Sequence, residues 1–446
     1  MFSMIFDFLQ WMVVGLPTQL VVRPLARSRK MFDGVSSNSW NLIWTSVFWM
    51  IPVAFAGVYL QVFMHEQGLS VIRIGTLGSI AVVFQLAGAL AGGWAADRIG
   101  WKRCLIWLDL MVWPTAYLCY ATAHGYAGFL AGTALMSVQA VVVPAWIGML
   151  TTGTAPSRRA YVFALSSVPG MVGGMLIPLS GPLVELWGVS GTSRYVYGIG
   201  AVLMAAGVMV RWRILKNIGP SRLRVRVHPE EFKRIILTNL ESIRIILRRK
   251  GLRAYFLVQV CNRTAFITAS TYLFLYLSDP HGAGIAKPML SVLAMCSCGA
   301  MLVSSLLLVP FITLEGTFGF MFLAIGLRAA FVVLILAAPV GAMGVIAGAM
   351  VLEGVGSGLM YPSMASFYTN MLSDAERPRV FSATVLLLML VTIPIPTIAG
   401  ALYAGAPSYA MGMLLGFYVL SFVLLVGMMF RRSGRSARGP EGKIAR

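Results

Sequence analysis

Long apolar runs separated by short polar segments dominate the pattern of this chain. A helix that crosses the hydrocarbon core of a bilayer needs about 20 predominantly apolar residues, and twelve runs approach or exceed that length. They span residues 40–62, 72–94, 103–123, 126–150, 161–185, 194–214, 252–277, 287–312, 316–338, 341–366, 380–403 and 408–430. Because backbone polar groups in lipid must be satisfied internally, the pattern predicts an all-α integral membrane protein of twelve transmembrane helices.

The segments outside these runs are expected to lie on the membrane surface or in water. The first 22 residues carry Asp7, no basic start, and apolar residues at helical spacing. This favours a helix lying on the membrane over a cleaved signal peptide or a thirteenth span. The predicted surface segments are an N-terminal segment (1–39), a basic amphipathic linker (215–250) and a basic tail (431–446).

The chain matches itself at one constant offset of 218 residues. This shift places Pro144 on Pro362 and Arg159 on Arg377, which brings predicted helix boundaries into phase. A constant shift of this kind indicates an internal repeat. We therefore expect two six-helix bundles, residues 40–214 and 251–430, joined by the linker.

Charge distribution predicts the orientation of the chain. The net charge is +20 with 11% charged and 58% hydrophobic residues. Among the 35 Lys and Arg residues, only Arg73, Arg194 and Lys287 fall on predicted outer segments, and Arg263 and Arg328 fall within runs. Such a bias places both termini in the cytoplasm. We expect a multi-pass protein of the cell's inner membrane, with lipid and not nucleic acid as the reason for its basic character.

A polar segment between the second and third runs carries the most specific motif. It contains Gly93, Asp97, Arg98, Gly100, Lys102 and Arg103. At a membrane surface, such a turn lets a carboxylate cap a helix and keeps the arginines hydrated. The segment resembles the G-x-x-x-D-R-x-G-R-K/R loop between helices 2 and 3 of the major facilitator superfamily. Trp101 departs from that pattern, because the family usually has Arg there.

The resemblance implies two pseudo-symmetric bundles with a cavity that opens to either side in turn. It also implies a cytoplasmic gate of salt bridges that hold the outward-facing state. At the repeat offset, Asp97 meets Glu315, so the second half of the gate is expected to comprise Glu315, Arg377 and Arg379. In the family, helices one, four, seven and ten line the cavity, while helices three, six, nine and twelve are peripheral.

Four ionisable residues lie deep within runs, where charge is unfavourable unless it has a function or a partner. They are Asp109, Arg263, Arg328 and Glu353. By the resemblance, Arg263 and Glu353 can face substrate, whereas Asp109 and Arg328 serve packing or structural ion pairs. Two interpretations of Glu353 stay open: a structural ion pair with Arg328, or a group that exchanges protons during transport.

Other candidates for solute contact are polar or aromatic. Arg263 either donates hydrogen bonds to carbonyls near Pro52 or binds an anionic or carbonyl-bearing solute, and the adjacent Asn262 could assist. Helical packing is the simpler explanation for each of the others. These remaining candidates are Asn41 and Trp49 in the first run and Gln139 in the fourth.

The sequence favours transport over catalysis. It contains no P-loop, no nucleophile with a partner base and no metal-ligand spacing, so no cofactor, no metal and no enzyme activity are expected. The leading hypothesis is a secondary transporter of a small solute, with export favoured slightly and protons as one candidate coupling ion. A uniporter, a metabolite importer and a non-transporting sensor remain alternatives. Span four lacks a basic residue and span one lacks an acid, which weighs against proton-driven drug export.

Overall fold

A computed structural model describes residues 34–155, 159–218, 241–308, 311, 317–372 and 376–436. The described chain is built from α-helices. They are α1 (Ser37–Thr45), α2 (Val47–Glu66), α3 (Val71–Ile99), α4 (Trp101–Thr122), α5 (Tyr126–Ser137), α6 (Val143–Thr151), α7 (Arg159–Leu176), α8 (Gly181–Ile214), α9 (Lys250–Ser278), α10 (Leu290–Leu307), α11 (Thr317–Ala337), α12 (Met343–Met371), α13 (Arg377–Thr392), α14 (Ile395–Gly405) and α15 (Pro407–Ser436). Short 3-10 segments cover Val138–Val141, Ile177–Ser180 and Lys287–Met289.

Most of these helices are long and apolar enough to cross a membrane. The described residues contain nine such helical segments, or ten when the bent pair Tyr126–Val141 and Val143–Thr151 counts as one span. The segment Leu165–Ile214 has 50 residues and would extend about 75 Å at 1.5 Å per residue. It therefore contains two spans, divided at Gly188. Helix α9 is also long enough, at 29 residues, although it carries three basic residues.

The breaks between helices are shorter than the sequence pattern predicts. Gly188, with φ of 68°, is the non-helical residue inside α8, whereas the apolar pattern leaves residues 186–193 between runs five and six.

The first predicted span contains an interruption that the apolar pattern does not predict, because α1 ends at Thr45 and α2 begins at Val47. Ser46 therefore lies at a helix junction inside the bundle.

The polar turn expected at Gly93–Arg103 is shorter in the structure and consists of a single residue, Gly100. Helix α3 continues to Ile99, and α4 begins at Trp101. Gly100 alone joins them with φ of 86°, a conformation that is readily available to glycine. Asp97 and Arg98 thus belong to the last turn of α3, and the N-cap of α4 is Gly100, not the expected carboxylate.

Two groups of helices pack against each other. Within the first group, α4 and α2 pack on α8; within the second, α10 and α11 pack on α12, and α9 packs on α15. The groups meet where α3 packs on α14 and α7 packs on α10. Close approach depends on glycine: a Cβ at Gly78 would lie 2.8 Å from Pro396 Cβ, and one at Gly174 would overlap Cys298.

Polar contacts tie the two groups together where α2 ends and α3 begins, which we call the α2–α3 end. Lys287 Nζ lies 2.6 Å from Glu66 Oε1. The hydroxyl of Tyr59 donates to the Lys287 carbonyl at 3.1 Å. Further along α3, the hydroxyls of Ser79 and Thr397 are 2.8 Å apart. These contacts join the groups by side chains from α2, α3, α14 and the segment before α10.

Candidate functional site

A cavity of about 420 Å³ lies inside the first helix group. Its lining comes from the α1–α2 junction and from α2, α4, α6, α7, α8 and the 3-10 segment Val138–Val141. Most of the lining is apolar, with a few polar groups, as is usual for small-molecule sites. The polar and aromatic residues that line it are Ser46, Trp49, Asp109, Trp113, Gln139, Trp146, Ser166 and Arg211.

One wall of the cavity is a buried ion pair between α4 and α8. Arg211 Nη1 lies 3.1 Å from Asp109 Oδ2, and the two side chains are only 6% and 5% exposed. The guanidinium also donates from Nε to the Thr45 hydroxyl at 2.9 Å and from Nη2 to the Ser46 hydroxyl at 3.3 Å. A buried charge of this kind is tolerated only where its donors find partners.

The hydroxyl partners of Arg211 lie at the junction between α1 and α2. Thr45 and Ser46 sit where the helix is broken, and their hydroxyls both bond to Arg211. The Trp49 ring then covers the guanidinium at 4.0 Å from its centroid, and Trp113 packs edge-on against Trp49 at 6.4 Å. Cation–π contact adds to the stabilisation of a desolvated arginine. These contacts hold the Arg211 guanidinium in place, and Asp109 neutralises its charge.

Gln139 is the cavity's adaptable polar group. It lies in the 3-10 segment Val138–Val141 and is partly buried. Within the described part of the chain, its carboxamide makes no hydrogen bond, whereas Ser166 donates to the carbonyl of Phe163. A carboxamide both donates and accepts hydrogen bonds, so Gln139 can donate a hydrogen bond to a solute or accept one from it.

A second carboxylate centre lies in the other helix group. Glu353 on α12 accepts hydrogen bonds from Ser297 and Ser357, each at 2.5 Å. Arg328 on α11 lies 3.9 Å away, at the limit of an ion pair. The guanidinium carbon of Arg328 lies 4.8 Å from the Tyr418 ring centroid, and among the described residues its Nε has no hydrogen-bond partner. Both alternatives for Glu353 are compatible with this geometry.

Two predicted asparagine candidates lie away from the cavity. Asn262 donates to Val258 O and to the Ser421 hydroxyl at 3.0 Å, so it joins α9 to α15. Asn41 donates to the Ile214 carbonyl at 3.3 Å and accepts from Trp44. These two asparagines therefore hold helices together.

Arg263 differs from the expected picture. It makes no hydrogen bond to the carbonyls near Pro52 within the described residues; its recorded contact is with the Phe266 ring, 5.6 Å from the centroid. Arg263 and Glu353 do not line the cavity, whereas Asp109 does. Asp109, a candidate for packing or a structural ion pair, forms its ion pair with Arg211 on α8, and the two residues also line the cavity.

The predicted gate is described only in part. Lys102 Nζ donates to the Leu215 carbonyl at 2.6 Å, and Arg98 and Arg103 are exposed. The side chains of Asp97, Arg377 and Arg379, the burial of Gly93 and the whole of Glu315 lie outside what the structure describes. Beside Arg377, Glu376 accepts from Arg249 at 2.7 Å, and this hydrogen bond raises the pKa of Arg249.

Sequence reasoning missed Arg211. It stands two residues before Arg213 at the end of a run, where basic residues usually mark the cytoplasmic boundary. The available signal was Asp109: a buried carboxylate requires a partner, and Arg211 lies at a similar depth from the same end of the bundle. Among the described residues, no group of three His, Cys, Asp or Glu could hold a metal ion.

Comparison with solved structures places this fold among membrane transporters. The nucleoside transporter NupG superposes with a TM-score of 0.66 at 14% identity, over 88% of this chain and 98% of that one. The peptide transporter POT in complex with sulfate gives 0.68 at 16% identity, over 91% and 96%. A POT family transporter in complex with 5-aminolevulinic acid gives 0.70 at 11%, over 90% and 96%. No curated protein matches the sequence.

The number and length of the apolar helices define a multi-pass membrane protein. Residues 42–314 match the family model of the Major Facilitator Superfamily, which covers more than half of the chain. The chain belongs to the major facilitator superfamily. The resemblance noted at the Asp97–Arg98 motif is thereby confirmed at the level of the family.

Proposed function

We propose that this chain moves a small solute across the cytoplasmic membrane by alternating access and couples that movement to protons at Glu353. The observation that carries the proposal is the environment of Glu353: two serine hydroxyls at 2.5 Å and a distant arginine at 3.9 Å. A hydroxyl can donate to a carboxylate or accept from a carboxylic acid. Ser297 and Ser357 can therefore stabilise Glu353 in both protonation states.

Asp109, a fully buried carboxylate, is less suited to this role than the partly buried Glu353. Asp109 lies 3.1 Å from Arg211, and a guanidinium can only donate. Protonation of Asp109 would leave Arg211 buried without its counter-ion, which is unfavourable. The two helix groups therefore have different roles. Glu353 in the second group exchanges the proton, and the Asp109–Arg211 pair in the first group stays charged and lines the cavity.

Orientation follows from the basic residues. We propose that the side of the bundle with the Gly100 turn, the end of α8 and the tail faces the cytoplasm, together with both termini, because basic residues concentrate there. The α2–α3 end then faces outward. Because Glu66, Tyr59 and Ser79 tie the two groups together at this end, the conformation described here corresponds to one closed to the outside.

The test is solute-dependent proton movement in proteoliposomes that contain a pH-sensitive dye and carry an imposed pH gradient. Neutral, cationic and anionic solutes are added separately to the wild type, and one of these classes should dissipate the pH gradient. The Glu353→Gln variant keeps both serine partners and should lose this signal while it still exchanges labelled solute across the membrane without a gradient. The side from which the solute acts gives the direction, for which we propose export.

A matched variant separates proton coupling from a structural ion pair. Arg328→Gln removes the other partner of the 3.9 Å contact and leaves the carboxylate in place. If Glu353→Gln and Arg328→Gln both fail to yield folded protein, the pair is structural and the coupling proposal is wrong. If the wild type exchanges solute without any proton signal, the chain is a uniporter. If it exchanges no member of the panel, the transport proposal itself loses support.

A further inference from the structure

We propose that the cavity in the first helix group binds a planar, net-neutral heterocyclic solute with an adjacent N–H and C=O, the edge of a lactam or cyclic imide. This inference rests on the proposed transport function and specifies its substrate class. It draws on three properties of the cavity: its charge, its aromatic walls and the carboxamide of Gln139, which makes no hydrogen bond with another described residue.

The charge of the cavity disfavours ions. Asp109 and Arg211 both line it, and at 3.1 Å they neutralise each other. A cationic solute close to Asp109 would also approach Arg211, and an anionic solute close to Arg211 would approach Asp109. In a site of low dielectric, the unfavourable contact largely offsets the favourable one. A solute without net charge avoids this penalty.

The walls favour a flat ring. Trp113 and Trp146 are partly exposed and line the cavity, while Trp49 is already covered by Arg211 at 4.0 Å. An indole can stack on the flat face of a heterocycle. Aromatic side chains stack on any nucleic-acid base in this way, because every base has a π-face. Trp113 and Trp146 are therefore the expected stacking surfaces.

The polar group selects a particular edge. Gln139 lines the cavity and makes no hydrogen bond with another described residue, so its carboxamide offers one acceptor and two donor hydrogens. Carboxamides bind bidentately to heterocycles that present a donor beside an acceptor, as glutamine does with base edges. The lactam N–H and C=O provide that pair, and a ring without the N–H loses one of the two bonds.

Equilibrium dialysis of the purified full-length protein in detergent provides the test, with labelled uridine as the probe. Uridine carries a ring N–H between two carbonyls, and 3-methyluridine lacks this N–H. The wild type should bind uridine about tenfold more tightly than 3-methyluridine, because one hydrogen bond is lost and a buried partner is left unpaired. Tetraphenylphosphonium and benzoate, a cation and an anion with aromatic rings, should bind more weakly than uridine.

Gln139→Leu should reduce uridine affinity about tenfold and should abolish the preference over 3-methyluridine. The matched control is Gln85→Leu, a partly buried glutamine on α3 that does not line the cavity, and it should bind like the wild type. A preference that survives in Gln139→Leu would overturn the assignment, as would tighter binding of either ion or no binding of uridine at all.

These outcomes are separate from those of the transport assay. Exchange of a charged solute in proteoliposomes, together with no uridine binding, would overturn the substrate class and leave the transport function intact. Uridine binding without exchange of uridine or any other solute would support the site and would contradict transport.

Discussion

At the scale of single residues, Asp109 and Arg211 form the best satisfied buried charge pair that the structure describes. Arg211 has four hydrogen-bonding partners, including Thr45 and Ser46. Removal of one charge from such a pair leaves the other buried without compensation, which destabilises a protein by about 3–5 kcal/mol. Removal of both charges is much less costly, because no orphaned ion remains.

We therefore expect Asp109→Leu to lower the thermal midpoint of unfolding strongly, to a degree that corresponds to about 3 kcal/mol or more. The double variant Asp109→Leu with Arg211→Met should recover most of this loss. The measurement is thermal aggregation of detergent-solubilised protein, followed by fluorescence-detected gel filtration. A double variant as unstable as the single one would show that the pair itself does not account for the loss.

Residue patterns revealed one partner of this pair but not the other. Asp109 stands out because a carboxylate within an apolar run requires an explanation. Arg211 does not, because one of two neighbouring arginines at the end of a span is normally attributed to the membrane surface. Helical rotation separates them: Arg211 is 5% exposed and Arg213 is exposed. The direction in which each residue faces depends on packing against α1 and α4, which a single sequence does not specify.

At the scale of helices, contact between α3 and α14 depends on small residues. Gly75 and Gly78 lie one turn apart on α3 against Pro396. A Cβ at Gly78 would lie 2.8 Å from Pro396 Cβ, so a larger side chain must separate the helices. Since α3 belongs to the first group and α14 to the second, this separation would open the α2–α3 end.

Gly78→Val should therefore raise the maleimide labelling rate of a cysteine placed at Ser79 several-fold, with a membrane-impermeant reagent added from outside and the five native cysteines replaced. Transport should fall because closure at this end is impaired. Gly57→Val on α2 is the control, since a Cβ at Gly57 has no atom within 4 Å. Equal labelling in the two variants would count against a closing role for this contact.

The helices themselves were largely predictable, because the length and apolarity of each run reflect the thickness of the bilayer. Their interruptions were not. Ser46 breaks the first span without a proline or glycine, and Gly100 shortens the predicted loop to one residue. At Gly100 the positive φ suits glycine, but glycine alone does not show that the loop ends after one residue. At the other break, Thr45 and Ser46 bond to Arg211, a contact between distant parts of the chain that local propensity does not reveal.

At the scale of the whole molecule, the ion pair between Glu66 and Lys287 joins the two helix groups. Glu66 also accepts from the backbone N–H and the hydroxyl of Ser190 at 3.0 and 2.7 Å, which anchors it close to the Gly188 break. The pair is partly exposed, so it contributes about 1 kcal/mol or less. A contribution of that size still changes the balance between two conformations by up to several-fold.

We expect Lys287→Glu to increase outside labelling of the cysteine at position 79 by a few fold, because it places like charges at the α2–α3 end. The combined charge reversal, Glu66→Lys with Lys287→Glu, should restore wild-type labelling. Persistence of the increase in the double variant would mean that charge pairing between positions 66 and 287 does not hold this end closed. High salt should reduce the effect of the single variant.

The opposite end provides the complementary test of alternating access. By resemblance to the family, we expect Asp97 to belong to a cytoplasmic gate that holds the outward-facing state, and we propose that Glu66 and Lys287 hold the outer end closed. If the two ends alternate, Asp97→Asn and Lys287→Glu must shift the same equilibrium in opposite directions. Asp97→Asn should lower outside labelling at position 79 and raise cytoplasmic labelling of a cysteine at Ser166 in the cavity.

The combination of both variants makes this test quantitative. In a two-state equilibrium, independent shifts add as free energies, so the double variant should label at a rate between those of the two single variants at both positions. Arg213→Gln, which changes an exposed charge outside the gate motif, is the control for altered surface charge. Unchanged labelling at Ser166→Cys in Asp97→Asn would argue against the gate. Increased labelling at both ends in the double variant would show that the two ends open independently, which is incompatible with alternating access.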